Sequence, residues 1–258
     1  MEERSKAELF FSEAEKERLR AAVQGVESRT IGEVVVMVVD TSDDYPEAEI
    51  IGGIFLSSLV SLILTFFFFH ASIFWFVPVS FVLFFPFKLL LRSLPHLKKL
   101  FLGADRKEEA VRTRAFVAFY EHGLDKTRQS TGVLFFLSLF ERKVHILADQ
   151  GIYSKIGQET LDRYAKIVVE GIKKGKACNT LCQAIQDTGQ LLSTHFPTIA
   201  GDTNELPDAV IIEKAKKWSP RLPGLKAGVC SRFTLSRASL PRIERRGFAR
   251  SNGWSPAD

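Results

Sequence analysis

From Ile50 to Phe87 the chain runs for 38 residues without one Asp, Glu, Lys or Arg. This stretch, IIGGIFLSSLVSLILTFFFFHASIFWFVPVSFVLFFPF, lies well inside the sequence, and half of the 22 Phe fall within 50–91. One helix needs about 20 residues to cross roughly 30 Å of hydrocarbon, so a single helix of this length would overshoot. Two helices fit, about 50–69 and about 73–91, broken at His70-Ala71-Ser72. Lys88 can snorkel out of the second, Trp75 suits an interface, and Pro78 and Pro86 are tolerable in lipid. A buried core pair and a re-entrant or interfacial hairpin are the alternatives to a spanning one.

The flanks orient the hairpin. Lys88, Arg92, Lys98, Lys99, Arg106 and Lys107 follow the second helix, whereas the turn carries only His70. The positive-inside bias then places both flanks in the cytoplasm and the turn outside. The N-terminus has no basic segment followed by an apolar run, so no signal peptide is expected. The expected location is the inner membrane, with two spans and a cytoplasmic soluble domain.

The soluble segments read as one body. Ser12 and Glu15 form a capping box opening a helix with Leu19, Ala22, Val23 and Val26 at helical spacing. GEVVVMVVD (32–40) reads as a strand buried on both faces. Asp105 can cap a helix to about His122, with Val111, Ala115, Ala118 and Phe119 as its apolar stripe. GVLFFLSLF (132–140) and KVHILADQ (143–150) are close enough to pair antiparallel. A helix with Leu161, Tyr164, Ile167, Val168 and Ile172 on one face follows. Another, at about 178–195, carries Leu181, Ile185, Leu191 and Leu192. Residues 196–207 read as a closing loop.

Strands 33–40 and 132–140 are joined through a helix, which favours parallel pairing with a right-handed crossover. The fold class expected is α/β: an α/β/α sandwich with a small mixed sheet, residues 8–212, interrupted by the transmembrane hairpin at 50–91. An insertion inside one domain returns to the side it left, so its span count must be even. Residues 213–258 hold eleven Lys/Arg against three acids, lack periodicity, and read as a disordered basic tail able to touch anionic lipid. Since the total charge is +5, the rest of the chain sums to about −3 (5 − 8), and no nucleic-acid face is inferred.

GEVVVMVVD, TGVLFFLSLFERKVHILADQGI and the amphipathic helix after them resemble the TPM domain family. Within it the chain is most similar to the bacterial membrane branch, where a hydrophobic hairpin interrupts the domain. The resemblance covers about residues 12–212. It implies an α/β/α sandwich on a membrane-bound protein of poorly known role, with acid phosphatase activity or metal binding in some members. Many members carry Gly-Tyr-Gly where this chain has Asp149-Gln150-Gly151.

The candidate chemistry is sparse. Asp40, Asp43, Asp44, Glu47 and Glu49 cluster after the first strand, where carboxylates commonly hold Mg²⁺ or Ca²⁺. Asp40, Asp43 and Asp44 are the candidate metal ligands, set against a solvated turn leading into the hairpin. Parallel strands would put Asp40 near Glu141 and Arg142, with Asp149 at the opposite edge. Arg142 closes the hairpin or binds an anion. Asp149 with Gly151 forms a ligand-binding turn or accepts backbone N–H groups. His145 is expected to be packed or at the surface. Cys178, Cys182 and Cys230 form no disulfide framework, and no further ligand accompanies the first two. No nucleophile elbow, Walker loop or HExxH motif is present. The leading expectation is a membrane-held binding or assembly module whose partners are the bilayer and other membrane proteins. The rival is a Ca²⁺- or Mg²⁺-assisted phosphatase.

Overall fold

The computed structural model describes residues 5–68, 73–127, 129–198 and 210–213. The sequence-predicted break at His70-Ala71-Ser72, Cys230 and nearly all of the basic tail lie outside these residues. In chain order the elements are α1 (Lys6–Phe10), α2 (Glu13–Glu27), β1 (Glu33–Val39), α3 (Pro46–Phe68), α4 (Ile73–Ser93) and α5 (Pro95–Lys98). Then come α6 (Ala104–Glu121), β2 (Gly132–Ser138), β3 (Lys143–Ala148), α7 (Gln150–Ile156), α8 (Gln158–Lys173), α9 (Ala177–His195) and β4 (Ile211–Glu213). They form two compact units, one of residues 44–107 and one from the flanking segments.

In the flanking unit the strands order β3-β2-β1-β4. β1 and β2 run parallel, from Glu33 opposite Gly132 to Val39 opposite Ser138. β3 is antiparallel to β2, with Phe136 opposite His145. β4 adds to β1 in parallel, with Met37 opposite Ile211. Every residue of β1 and β2 is buried, as expected of strands covered on both faces. Alternation divides their side chains cleanly. Val34, Val36, Val38, Val133, Phe135 and Leu137 join the core with α2, α8 and α9. Val35, Met37, Val39, Leu134 and Phe136 meet Val111, Ala115, Ala118 and Phe119 of α6. The result is three layers with a mixed four-stranded sheet in the middle.

Local chemistry sets the boundaries. Ser12 accepts from the Glu15 N–H while the Glu15 carboxylate accepts from the Ser12 N–H, which starts α2. The same box recurs at Ser5 and Glu8 and starts α1. α9 lies so close to α2 that a Cβ on Gly189 would stand 2.3 Å from Val26 Cγ2.

Several expectations need correction. β2 ends at Ser138 rather than residue 140, since Leu139–Arg142 form the turn. β3 ends at Ala148, and the next residues turn into a helix because Asp149 caps α7. Ile167 is 40% exposed; Ala165 and Val169 take its place in the core. Glu213 belongs to β4 rather than to a tail.

The unit of residues 44–107 is built around α3 and α4, both long and apolar enough to cross a membrane. Twenty-three residues at 1.5 Å each give α3 a length of about 35 Å. Small residues line its buried side: Ala48, Gly52, Gly53, Ser57, Ser61 and Thr65. They let α4 approach closely, and Ser61 Oγ donates to the Phe76 carbonyl at 2.8 Å. Phe66, Phe74, Phe81 and Leu89 point outward and are exposed. At the charged end Lys98 pairs with Glu49 at 2.8 Å and Arg106 with Glu47 at 2.7 Å.

The Gly189 contact yields a stability test. Gly189→Ala gains helix propensity but overpacks against Val26, for an expected net loss on the order of 1 kcal/mol. Thermal unfolding in detergent should show the double variant with Val26→Ala losing less than the sum of the single losses. Strict additivity would contradict the close contact.

Candidate functional site

The carboxyl ends of parallel strands are where open α/β sheets place their ligand sites. Here β1 and β2 end side by side, and the pairing continues past both. Leu139 N donates to Val39 O at 3.1 Å and Phe140 N to Asp40 O at 2.9 Å. This brings the segment after β1 against the β2–β3 turn. Arg142 closes that turn in the left-handed region at φ 55°, and the two strands resume pairing at Ser138 and Lys143.

Glu141 is the centre of the polar groups gathered there. Its Oε1 accepts from the Ser42 N–H at 3.0 Å and from Thr41 Oγ1 at 3.2 Å. Its Oε2 accepts from Ser138 Oγ. Ser42 Oγ in turn donates to Ser138 Oγ at 3.0 Å. Glu141, Ser42 and Ser138 are all buried. A buried carboxylate is tolerated only where its lone pairs are satisfied, and both oxygens of Glu141 are occupied by chain groups. The cluster therefore latches the end of β1 onto the turn after β2.

Of the candidate metal ligands, Asp40 spends one carboxylate oxygen on α1, accepting from the Ala7 N–H at 2.6 Å. Asp43 sits in the same turn, where its carbonyl accepts from Thr41 Oγ1 at 2.9 Å. Asp44 belongs to the 44–107 unit, and its carbonyl accepts from Lys98 Nζ. Glu47 and Glu49, from the same acidic run, are bound in the ion pairs with Arg106 and Lys98. Among the described residues no group of three or more His, Cys, Asp or Glu side chains is arranged to hold a metal ion.

Asp149 lies at the other end of the sheet, as parallel pairing demands. It is the N-cap of α7 and accepts from the Gln150 N–H at 2.7 Å, while its own N–H donates to Gly132 O. Gly151 falls in the first turn of α7, where a Cβ would stand 2.6 Å from the Ser130 carbonyl. That segment is a helix start packed on the chain before β2.

His145 projects from the edge strand β3 towards the α6 side, opposite Phe136. Burial holds its pKa below the ordinary imidazole value. Arg112 and Lys143 press the same way, against the opposing pull of Glu108 and Asp162. Cys178 and Cys182 face α2, with Cys178 Sγ directed at Glu15 O and Cys182 Sγ at Arg18 O. Burial and the neighbouring Cys178 push the Cys182 thiol up to about 11, so it is a poor thiolate at neutral pH.

The Glu141 latch went unread in the sequence. Its signals were weak: Ser138 is the lone hydroxyl in GVLFFLS, and Glu141 looks like any charged turn residue.

No protein-family model and no curated protein sequence matches the chain. In three dimensions it is similar to the NMR structure of BA42 protein from the psychrophilic bacterium Bizionia argentinensis. The TM-score is 0.50 at 18% identity, over 79% of this chain and 96% of that one. A likeness at that identity concerns the fold.

Two outcomes are expected from these contacts. Glu141→Ala strands buried donors and should cost about 2–4 kcal/mol, whereas Glu141→Gln keeps an acceptor and should cost less than half of that. Equal losses in the two would contradict a hydrogen-bonded latch. For His145, the unfolded chain binds a proton near pH 6.5 and the folded chain resists it. Stability should therefore fall as pH drops from about 7 towards 5, by no more than about 1.4 kcal/mol per unit. Unfolding midpoints of His145→Asn over that window should show a shallower slope.

Proposed function

We propose that this chain is a membrane-anchored member of the TPM domain family whose α/β body faces the cytoplasm and serves as a binding or assembly module. One observation carries the reading. The two long apolar helices, with aromatic and aliphatic side chains exposed on their outer sides, are inserted between β1 and β2 of a single sheet. A helix pair meant for a protein core would bury those faces. Lipid is the solvent that accepts them, and two crossings return the chain to the side it left. The three-layer fold fits what the TPM resemblance implies, and the basic residues after α4 support the cytoplasmic orientation.

A binding role fits the chemistry better than catalysis. At the carboxyl ends of β1 and β2 the one buried carboxylate is committed to Thr41, Ser42 and Ser138. Asp40 is committed in part to α1. These groups brace the fold, leaving the outer surface of the body to meet partners such as other membrane proteins.

Two measurements test this reading. In a chain freed of its native thiols, cysteine at His70 should react with a membrane-impermeant maleimide on intact cells. Cysteine at Gln190 should react only after permeabilisation; labelling of both on intact cells would overturn the cytoplasmic placement. Adding Ca²⁺ or Mg²⁺ should leave the melting temperature and phosphate-ester hydrolysis unchanged. A metal-dependent rise in both, abolished by Asp40→Ala, would replace the module with a metal-assisted phosphatase.

A further inference from the structure

We propose that Lys88 and Arg92 form a binding site for the phosphates of anionic lipid headgroups, an inference that rests on the spanning reading above. Four of the six Lys and Arg in the 44–107 unit, Lys98, Lys99, Arg106 and Lys107, engage neighbouring groups. Lys98 and Arg106 are spoken for, by Glu49 and Glu47, and Lys107 Nζ donates to the Lys99 carbonyl at 3.3 Å. Arg106 also lies over the Tyr45 ring, 5.2 Å from its centroid. These cations hold the unit's charged end together. Lys88 and Arg92 are different: both are exposed, and neither has an ion-pair partner among the described residues.

Their placement on α4 points to a specific occupant. They are four residues apart and share one helix face. The residues around them, Phe85, Leu89, Leu90 and Leu94, are exposed and apolar. From Ile73, the start of α4, Lys88 stands about 22 Å along the axis and Arg92 about 28 Å, against a hydrocarbon thickness of roughly 30 Å. Arg92 thus reaches the headgroup level directly. Lys88 lies about one turn deeper, within the reach of a lysine that snorkels upward. Both charged ends then arrive at the phosphate level on the same side of the helix. A soluble acidic partner could neutralise the charges but would leave the surrounding Phe and Leu uncovered. An anionic lipid supplies the phosphate and the acyl chain together, and with Glu47 and Glu49 already paired, little competes for it.

The test uses the full chain in nanodiscs of phosphatidylcholine, with or without phosphatidylglycerol. Phosphatidylglycerol should raise the melting temperature of the wild type and remain bound in native mass spectra. The Lys88→Gln/Arg92→Gln variant should lose the thermal response and bind phosphatidylglycerol roughly tenfold more weakly. A Lys173→Gln/Lys174→Gln control, with the same loss of charge at the C-terminal end of α8, should retain both. An unchanged response in the first variant overturns the proposal, as does an equal loss in the control. A stabilisation that inorganic phosphate reproduces in detergent also overturns it, since that is a free-anion site. Release of the wild type from membranes by alkaline carbonate would overturn the spanning reading and this site with it. Retention on the membrane together with an unresponsive site sinks this inference alone.

Discussion

The rest of the structure depends on the parallel pairing of β1 with β2. These strands lie more than ninety residues apart in the chain, yet all seven residues of each are buried and in register. Neither could be stable alone, because a Val-rich strand with two apolar faces needs partners above, below and beside it. α6 covers one face; α2, α8 and α9 cover the other. The long excursion between the strands is tolerable because loop closure grows slowly with length, about 0.6 kcal/mol per doubling. It is cheaper still when the inserted segment is itself ordered.

The same pairing decides what the polar residues can do. Strands that end together bring the turn after β1 against the turn after β2, and Glu141 closes the gap with hydrogen bonds to Thr41, Ser42 and Ser138. An antiparallel arrangement would have sent Asp149 there instead. As it stands, Asp149 starts a helix at the far end of the sheet. The sheet edge where an α/β enzyme would carry its reactive groups is used here to fasten the sheet.

Much of this was legible in the residues, for identifiable reasons. The uncharged run and the Val-rich strand are signals that depend on composition alone, and both emerged as elements of the expected type. The helix stripe of α6 likewise met the sheet as its spacing required. What escaped was whatever depends on distant partners or on very short segments. β4 has three residues and is placed by pairing with Met37–Val39 and by packing Ile211 and Ile212 against the two cores. α1 has five residues, though its Ser5/Glu8 box was readable. α7 was hidden because ILAD reads as strand until the Asp149 cap is recognised. The Glu141 latch joins residues a hundred positions apart, and no local pattern announces that.

Amide hydrogen exchange, read peptide by peptide on the full chain in detergent, tests the pairing most directly. If β1 and β2 form one sheet, residues 33–39 and 132–138 should be protected to a similar degree and lose protection together as denaturant rises. Rapid exchange across 33–39 while 132–138 stays protected would mean that the segments before and after the hairpin fold separately, and would contradict the account.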